Sequence, residues 1–294
     1  RYTVHAAIAE RYRAGLSDPG AARRQVTRVW VNVARTIDAM STTERNVHGY
    51  RTIDAEESNL RFAWNELLSD PDPELLWPLV RVMRGYFDLR SRRRDGLDIF
   101  TRTDEAISHL PDLELRGWVR ECVALFLILS DRAEEAKPVI SEALSLLEQH
   151  GPPGETAAMA WNTKGYSHIV THEEDLALEA LYRSAELRAA LGDKRGEAQA
   201  LGNAAMTLAW AGRPDEAFTE LKRAVDRHRE IGNPSGLALS LGHLATLMRE
   251  HGQGTLEERI TVAEEAIRTA EEIGYTGAVI LAGQELAEAH IELG

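Results

Sequence analysis

Two imidazoles four residues apart, His168 and His172, are followed at once by Glu173 and Glu174. On a single helix face such a pair can hold a metal ion. The zinc-protease pattern wants Glu directly after the first His, and Ile169 stands there instead. His172 also falls where a turn between helices is expected, which would point the two rings apart, so the pair reads as a polar helix end and no metal is expected. Nucleotide hydrolysis needs a Gly-x4-Gly-Lys-Ser/Thr loop to cradle phosphates. Gly192-Asp-Lys-Arg-Gly196 is bounded by glycines, but it has the wrong pattern and no strand before it. No Gly-x-Ser-x-Gly marks a nucleophile elbow. The carboxylate pairs Glu134/Glu135, Glu173/Glu174, Glu257/Glu258 and Glu264/Glu265 read as solvated faces of amphipathic helices. Arg92, Arg93 and Arg94, with Arg90 nearby, form the sharpest basic cluster: a possible anion contact, or an exposed turn balanced by Asp88, Asp95 and Asp98. Neither catalytic residues nor a cofactor are expected, and the chain is read as non-enzymatic.

Composition narrows the setting. The 294 residues are 44% hydrophobic and 28% charged, ordinary for a globular protein. The single cysteine, Cys122, sits among Val123, Ala124 and Leu125 and reads as a small buried hydrophobe. An internal disulfide is impossible, so the fold does not depend on an oxidising compartment, and a cytoplasmic setting is expected. The longest strongly apolar run, Cys122 to Leu129, is too short to span a bilayer, so no membrane partner is expected. The opening Arg-Tyr-Thr-Val-His has neither an initiator Met nor a signal-peptide pattern, which suggests a piece of a longer polypeptide. Residues 1–116 carry 18 basic and 18 acidic groups, so the whole net charge of −13 lies in residues 117–294. That acidity argues against direct nucleic-acid binding, which relies on clustered cations. Thirty of the 34 basic residues are Arg, a bias read as genomic.

The elements that would position any site are helices. Four helix endings superpose, at Leu147–Gly151, Arg188–Gly192, His228–Gly232 and Ala270–Gly274, with glycines 41, 40 and 42 residues apart. Glycine just past a helix end suits a left-handed cap. Eight residues before each stands a small residue, Ala143, Ser184, Ala224 or Ala266, which lets two helices approach closely. Between these endings the pattern reads helix, turn, helix: Thr156–Thr171 with Leu176–Leu191, Glu197–Trp210 with Asp215–Ile231, and Leu237–Glu250 with Leu256–Ile273. A hairpin cannot bury its apolar face alone, so stacking must supply the core. Earlier helices are expected at Val4–Gly15, Ala21–Met40, Ala55–Ser69, Glu74–Arg90, Leu97–Leu110, Leu113–Asp131 and Ala133–Gln149, and no segment alternates as a strand would.

This pattern resembles tetratricopeptide repeats, with large, small, Ala, bulky and small positions at Trp161, Gly165, Ala177, Leu181 and Ser184, then Leu201, Ala205, Ala217, Leu221 and Ala224. The third unit departs at Gln253-Gly254 and Glu257. The resemblance implies an all-α, right-handed superhelical solenoid of hairpins. A second resemblance concerns the first half. Tyr2 to Tyr12 looks like the segment closing the winged-helix region of STAND-class signal-transducing ATPases, an architecture shared by many bacterial transcriptional regulators. Asp54, Glu57, Asn59, Leu60, Arg61 and Trp64 are similar to the helix that opens their repeat region, and Arg90, Asp95 and Gly96 to the turn of the next hairpin. Ser91 stands where that turn usually has glycine. The implied division is a helical linker at 1–52, degenerate hairpins at 53–132 and repeats of about 41 residues at 133–294, the last hairpin incomplete.

These resemblances imply a ligand-sensing and protein-interaction module, its NTPase lying upstream in the parent chain, or else an adaptor with no ATPase. The first helix of each hairpin would line a groove for a protein or peptide, through Asn162, Tyr166, Gln199, Asn203, Met206, Trp210, His243, Thr246 and Arg249. Trp210, just before the turn at Gly212, is the residue most easily spared from the core. The last helix lacks a partner, and Val279, Leu281, Leu286 and Ala289 are expected to leave apolar surface for self-association or further repeats.

Overall fold

In a computed structural model the chain is described over residues 18–41, 46–273 and 275–293, and these contain helices and no strands. The described residues form thirteen helices: α1 (Pro19–Ser41), α2 (Asn46–Ser69), α3 (Pro73–Leu89), α4 (Arg93–Ile107), α5 (Leu113–Ile128), α6 (Ala133–His150), α7 (Glu155–Val170), α8 (Glu174–Ala190), α9 (Lys194–Trp210), α10 (Pro214–Glu230), α11 (Pro234–His251), α12 (Leu256–Ile273) and α13 (Thr276–Leu293). The expected helix Val4–Gly15 and the Tyr2–Tyr12 segment lie outside the described residues. The chain divides into two compact units, Arg1–Phe126 and Leu127–Gly294.

In the Leu127–Gly294 unit each helix from α6 to α13 packs on the next in sequence order, which makes it an α-solenoid of hairpins. One turn geometry recurs along the chain. After α3, α5, α7, α9 and α11 the chain passes through a left-handed residue: Ser91, Asp131, His172, Gly212 and Gly252, at φ between 52° and 72°. At each, the residue beyond donates its N–H to a carbonyl five positions back, as in Arg213 to Leu208 (2.9 Å) and Glu173 to His168 (2.9 Å). This geometry satisfies carbonyls that the helix end leaves free. Of the glycines expected as caps between hairpins, Gly192 and Gly232 take the left-handed form, at φ 71° and 60°. Gly151 instead opens to φ 150° ahead of a two-proline loop, and Gly274 lies outside the described residues. The next helices start on side-chain caps, with Asp193 accepting from the Gly196 N–H (2.9 Å) and Asn233 from that of Gly236 (3.3 Å). At Gly252–Thr255 the turn is longer, and Thr255 and Glu258 cap each other reciprocally (2.8 and 3.1 Å).

Close approach explains the small residues. Ala143, Ser184, Ala224 and Ala266 are all fully buried. A Cβ on Gly165 would meet Leu181 at 2.7 Å, so α7 and α8 can touch only because that position is bare. Ser184 Oγ, eight residues before its glycine, donates to the Ala158 carbonyl of α7 (2.7 Å) and so satisfies itself in the core.

The Arg1–Phe126 unit is held differently. Trp64 is fully buried, packs edge-on against Phe100 (5.2 Å between centroids) and donates its indole N–H to Thr103 Oγ1 (2.9 Å). Phe100 stacks on Phe126, and a Cβ on Gly96 would strike that Phe126 ring at 2.6 Å. Glu121, fully buried, accepts two bonds from the Arg84 guanidinium (2.8 and 3.1 Å). Among the described residues, no helix is long and apolar enough to cross a membrane.

Candidate functional site

The inner face of the hairpin stack is set by which helices touch. First helices contact the first helices of neighbouring hairpins, α9 meeting α11 and α11 meeting α13. The seam between α7 and α9 is marked by Asn203, whose Nδ2 donates to Asn162 Oδ1 at 3.3 Å across 41 residues of sequence. Two carboxamides are thereby aligned, half-buried, along that face. Thr207 and Thr246 turn their hydroxyls back on the helix, to the carbonyls of Asn203 (2.9 Å) and Gly242 (3.2 Å). Tyr166 and Met206 are half-buried, and Gln199 is exposed. His243 is half-buried, and burial pushes its pKa down, which favours the neutral ring. Trp210 is 63% exposed at the end of α9, a large apolar surface held open to solvent.

Arg249 occupies a different place. It pairs with Glu285 of α13 (2.8 and 3.3 Å), a carboxylate only 4% exposed, and also with Glu250. Its guanidinium therefore neutralises a buried acid between two first helices. The sequence gives no sign of this pairing, because 36 residues separate its members and only the packing of α13 on α11 brings them together.

The basic cluster is likewise engaged. Arg90 bonds Asp54 in a two-pronged contact, and the Asp54 carboxyl is held below the usual range by that guanidinium. Arg92 bonds Glu57 and Asp95 (2.7 Å), while Arg61 reaches both Glu57 (3.3 Å) and Asp95 (3.6 Å). Burial opposes ionisation of Asp95, but Arg92 and Arg61 outweigh it, and its pKa lies below the ordinary value. Tyr86 donates to Glu57 (3.1 Å). The acidic helix motif on α2 and the arginine and acid-glycine turn before α4 thus clasp each other. Arg90, Arg93 and Arg94 are exposed, and Arg92 is half-buried. Ser91, the substitute for glycine, sits at φ 52° in the conformation a glycine would take.

The two histidines part as their spacing and turn suggested. His168 is buried with Nδ1 at 2.7 Å from Glu173, whereas His172 is the exposed left-handed turn residue. Glu173 also accepts from Lys137 (2.8 Å) and Thr171 (2.9 Å), and Lys137, His168 and Thr171 together lower its pKa to about 2. Among the described residues no group of three metal-ligating side chains is assembled.

One expectation needs correction. On α13, Ala289 is fully buried, and Val279, Leu281 and Leu286 are half-buried, with Leu281 packed over Gly242 of α11. The uncovered apolar residues are Ile280 (58% exposed), Ile291 (74%) and Leu293 (61%). Ile280 and Ile291 are three helical turns apart and so share the side turned away from α11 and α12.

No family model matches the chain, and no curated protein matches it. Solved structures do, at low identity. A Rap protein complexed with competence and sporulation factor superposes with a TM-score of 0.70 at 12% identity, over 98% of this chain and 79% of that one. PlcR of Bacillus thuringiensis, solved with a peptide and DNA, gives 0.59 at 11% identity, over 76% of this chain and 83% of that one. A STAND protein with a tetratricopeptide repeat sensor from Pyrococcus horikoshii gives 0.54 at 16% identity, over 81% of this chain but only 37% of that one. At such identities the likeness defines the fold: the chain is an all-α solenoid of tetratricopeptide-like hairpins.

Proposed function

We propose that this chain is a non-catalytic sensor and interaction module that takes a protein or peptide trigger on the inner face of its first helices. The observation carrying this reading is the aligned, hydrogen-bonded pair Asn162 and Asn203, with the exposed Trp210 on the same helix as Asn203. A carboxamide both donates and accepts, so two in register can bond an extended backbone, and an exposed indole offers a flat anchor. Partners named for the Rap and PlcR structures support a ligand of this kind. The parent is read as a STAND-type signalling ATPase and transcriptional regulator, its NTPase module upstream. There a trigger that binds one state more tightly shifts the nucleotide switch. An adaptor with no ATPase is the alternative, favoured by the closer superposition on the Rap protein than on the STAND protein. The clasped motifs on α2 and at the turn before α4 favour the signalling parent, because they are the residues that resemble it. The setting is read as cytoplasmic, with no direct nucleic-acid contact by this segment. Ile280 and Ile291 of α13 are the surface through which self-association would run.

The test is partner capture by the wild-type chain against Trp210→Ala and Asn203→Ala. Both variants should keep full helicity and lose partner recovery several-fold. Unchanged recovery by both would place the binding surface elsewhere. Arg249→Ala is a poor probe, since it strands the buried Glu285 carboxylate.

A further inference from the structure

Away from the inner face, a cleft of about 260 Å³ opens between the second helices α6 and α8, floored by the first helix α7. Ile140 of α6, Trp161 and Lys164 of α7, and Leu176 and Glu179 of α8 line it. Lys164 lies two residues after Asn162 and two before Tyr166, hence on the opposite side of α7 from the groove. The chain has only four lysines, Lys137, Lys164, Lys194 and Lys222, and two of them line this one cleft. Their states differ. Lys137 is already neutralised by Glu134 (3.0 Å) and Glu173 (2.8 Å), and forms a fixed wall. Lys164 holds its ammonium over the Trp161 ring, 4.8 Å from the centroid, and among the described residues it has no carboxylate partner. Glu179, exposed on the facing helix, likewise has no cation partner among the described residues. The cleft therefore presents one uncommitted cation, one uncommitted anion and an apolar floor of Trp161, Leu176 and Ile140.

We propose that this cleft is a second binding site, for a small zwitterion with an apolar side chain, a free α-amino acid of the leucine or phenylalanine kind. Lys164 takes the carboxylate, Glu179 the ammonium, and the side chain lies on Trp161 and Leu176. The pairing of opposite charges disfavours a dianion such as phosphate, which would meet Glu179 without compensation. The volume of about 260 Å³, below the roughly 300–1,000 Å³ of drug-sized ligand pockets, suits a ligand of this size.

The experiment is isothermal titration of the full chain with L-leucine, L-phenylalanine, N-acetyl-L-leucine, L-leucinamide and inorganic phosphate. One or both amino acids should bind saturably, and each blocked form should bind about tenfold more weakly or worse, having lost one charged contact. Lys164→Met should abolish the discrimination against the amide, and Glu179→Gln that against the acetyl form, with circular dichroism unchanged. Lys222→Met, in the larger cleft between α10 and α12, should leave affinity as it was. The proposal is overturned if no amino acid saturates at millimolar concentration, or if phosphate or the blocked forms bind as well as the free acids. Loss of binding in the Lys222 variant alone would also overturn it. The comparisons among ligands use the wild-type chain, so they decide the matter even if a variant misfolds.

Discussion

Large rings fill the core of the Arg1–Phe126 unit, where Trp64, Phe87, Phe100 and Phe126 are fully buried, whereas the Leu127–Gly294 unit closes on alanines such as Ala177, Ala204, Ala217, Ala224, Ala266 and Ala282. A ring packs in one orientation against one set of neighbours, so each contact is particular to its place. An alanine or glycine sets only a distance of approach and can be repeated at fixed spacing. The first unit adds the Arg84 pair on the buried Glu121 and the half-buried Arg61, Arg92, Glu57 and Asp95 network; the second has the Arg249 pair on Glu285 and adds backbone-directed hydroxyls and capped turns. Regularity in sequence follows from the second kind of packing and is hidden by the first.

The comparison can be broken most directly in the aromatic unit. Trp64→Ala removes a buried ring and the N–H that Thr103 Oγ1 accepts, and should cost about 3–5 kcal/mol. Glu121→Leu, which strands a buried guanidinium, should cost a similar ~3–5 kcal/mol. Urea denaturation followed by near-ultraviolet circular dichroism measures both, and a loss near zero would show that the rings and the ion pair do not define that core. In the alanine unit a single methyl group should be felt: Gly165→Ala, placing a Cβ at 2.7 Å from Leu181, is expected to cost roughly 1–3 kcal/mol by overpacking. A neutral result there would mean that spacing is set by something other than close approach.

The period is legible because its small residues and glycines are chemically conspicuous, and every buried small position read from it is buried. Most helix limits fall within a few residues of expectation for the same reason, since Pro73, Pro214, Pro234 and the glycine caps mark them, but α2 begins at Asn46, nine residues before the expected Ala55. What stayed hidden was pairing across distance. Nothing near Arg249 in sequence points to Glu285, and nothing near Arg90 or Arg92 points to Asp54 or Glu57. Each pair is separated by about a hairpin, so only the packed fold brings it together. The Asn162 and Asn203 contact was hidden in the same way, 41 residues apart in sequence. The uncovered face of α13 was misjudged because that helix packs on both α11 and α12, which cover the side expected to stay open.

Smaller effects test the turns. Ser91→Gly, Asp131→Gly and His172→Gly should each stabilise by up to about 1 kcal/mol, because each relieves a left-handed side chain, while Gly212→Ala should destabilise by a similar amount. Thermal melts of the four variants would show whether the turns of the two units are equivalent. The smallest effect concerns pH. Burial lowers the pKa of His228 and His243, so the unfolded chain takes up protons first as pH falls. Their contribution is complete above the ordinary value of 6.5 and declines as pH drops below it towards the lowered folded values. Melting temperatures should therefore fall between neutral and mildly acidic pH, and replacing both rings by Gln should flatten that slope.

The left-handed residue that follows α3, α5, α7, α9 and α11 also has a bearing on how such a chain can change length. His172 and Gly212 hold the same backbone shape at the same point of successive hairpins, with the same bonds behind them. Excising residues 173–212 would join His172 directly to Arg213 through a peptide that already has the required geometry. One helix pair would vanish, and only the contacts at the new seam would be unfamiliar. Inserted copies would enter by the same route, so the length of the solenoid can be adjusted in whole hairpins.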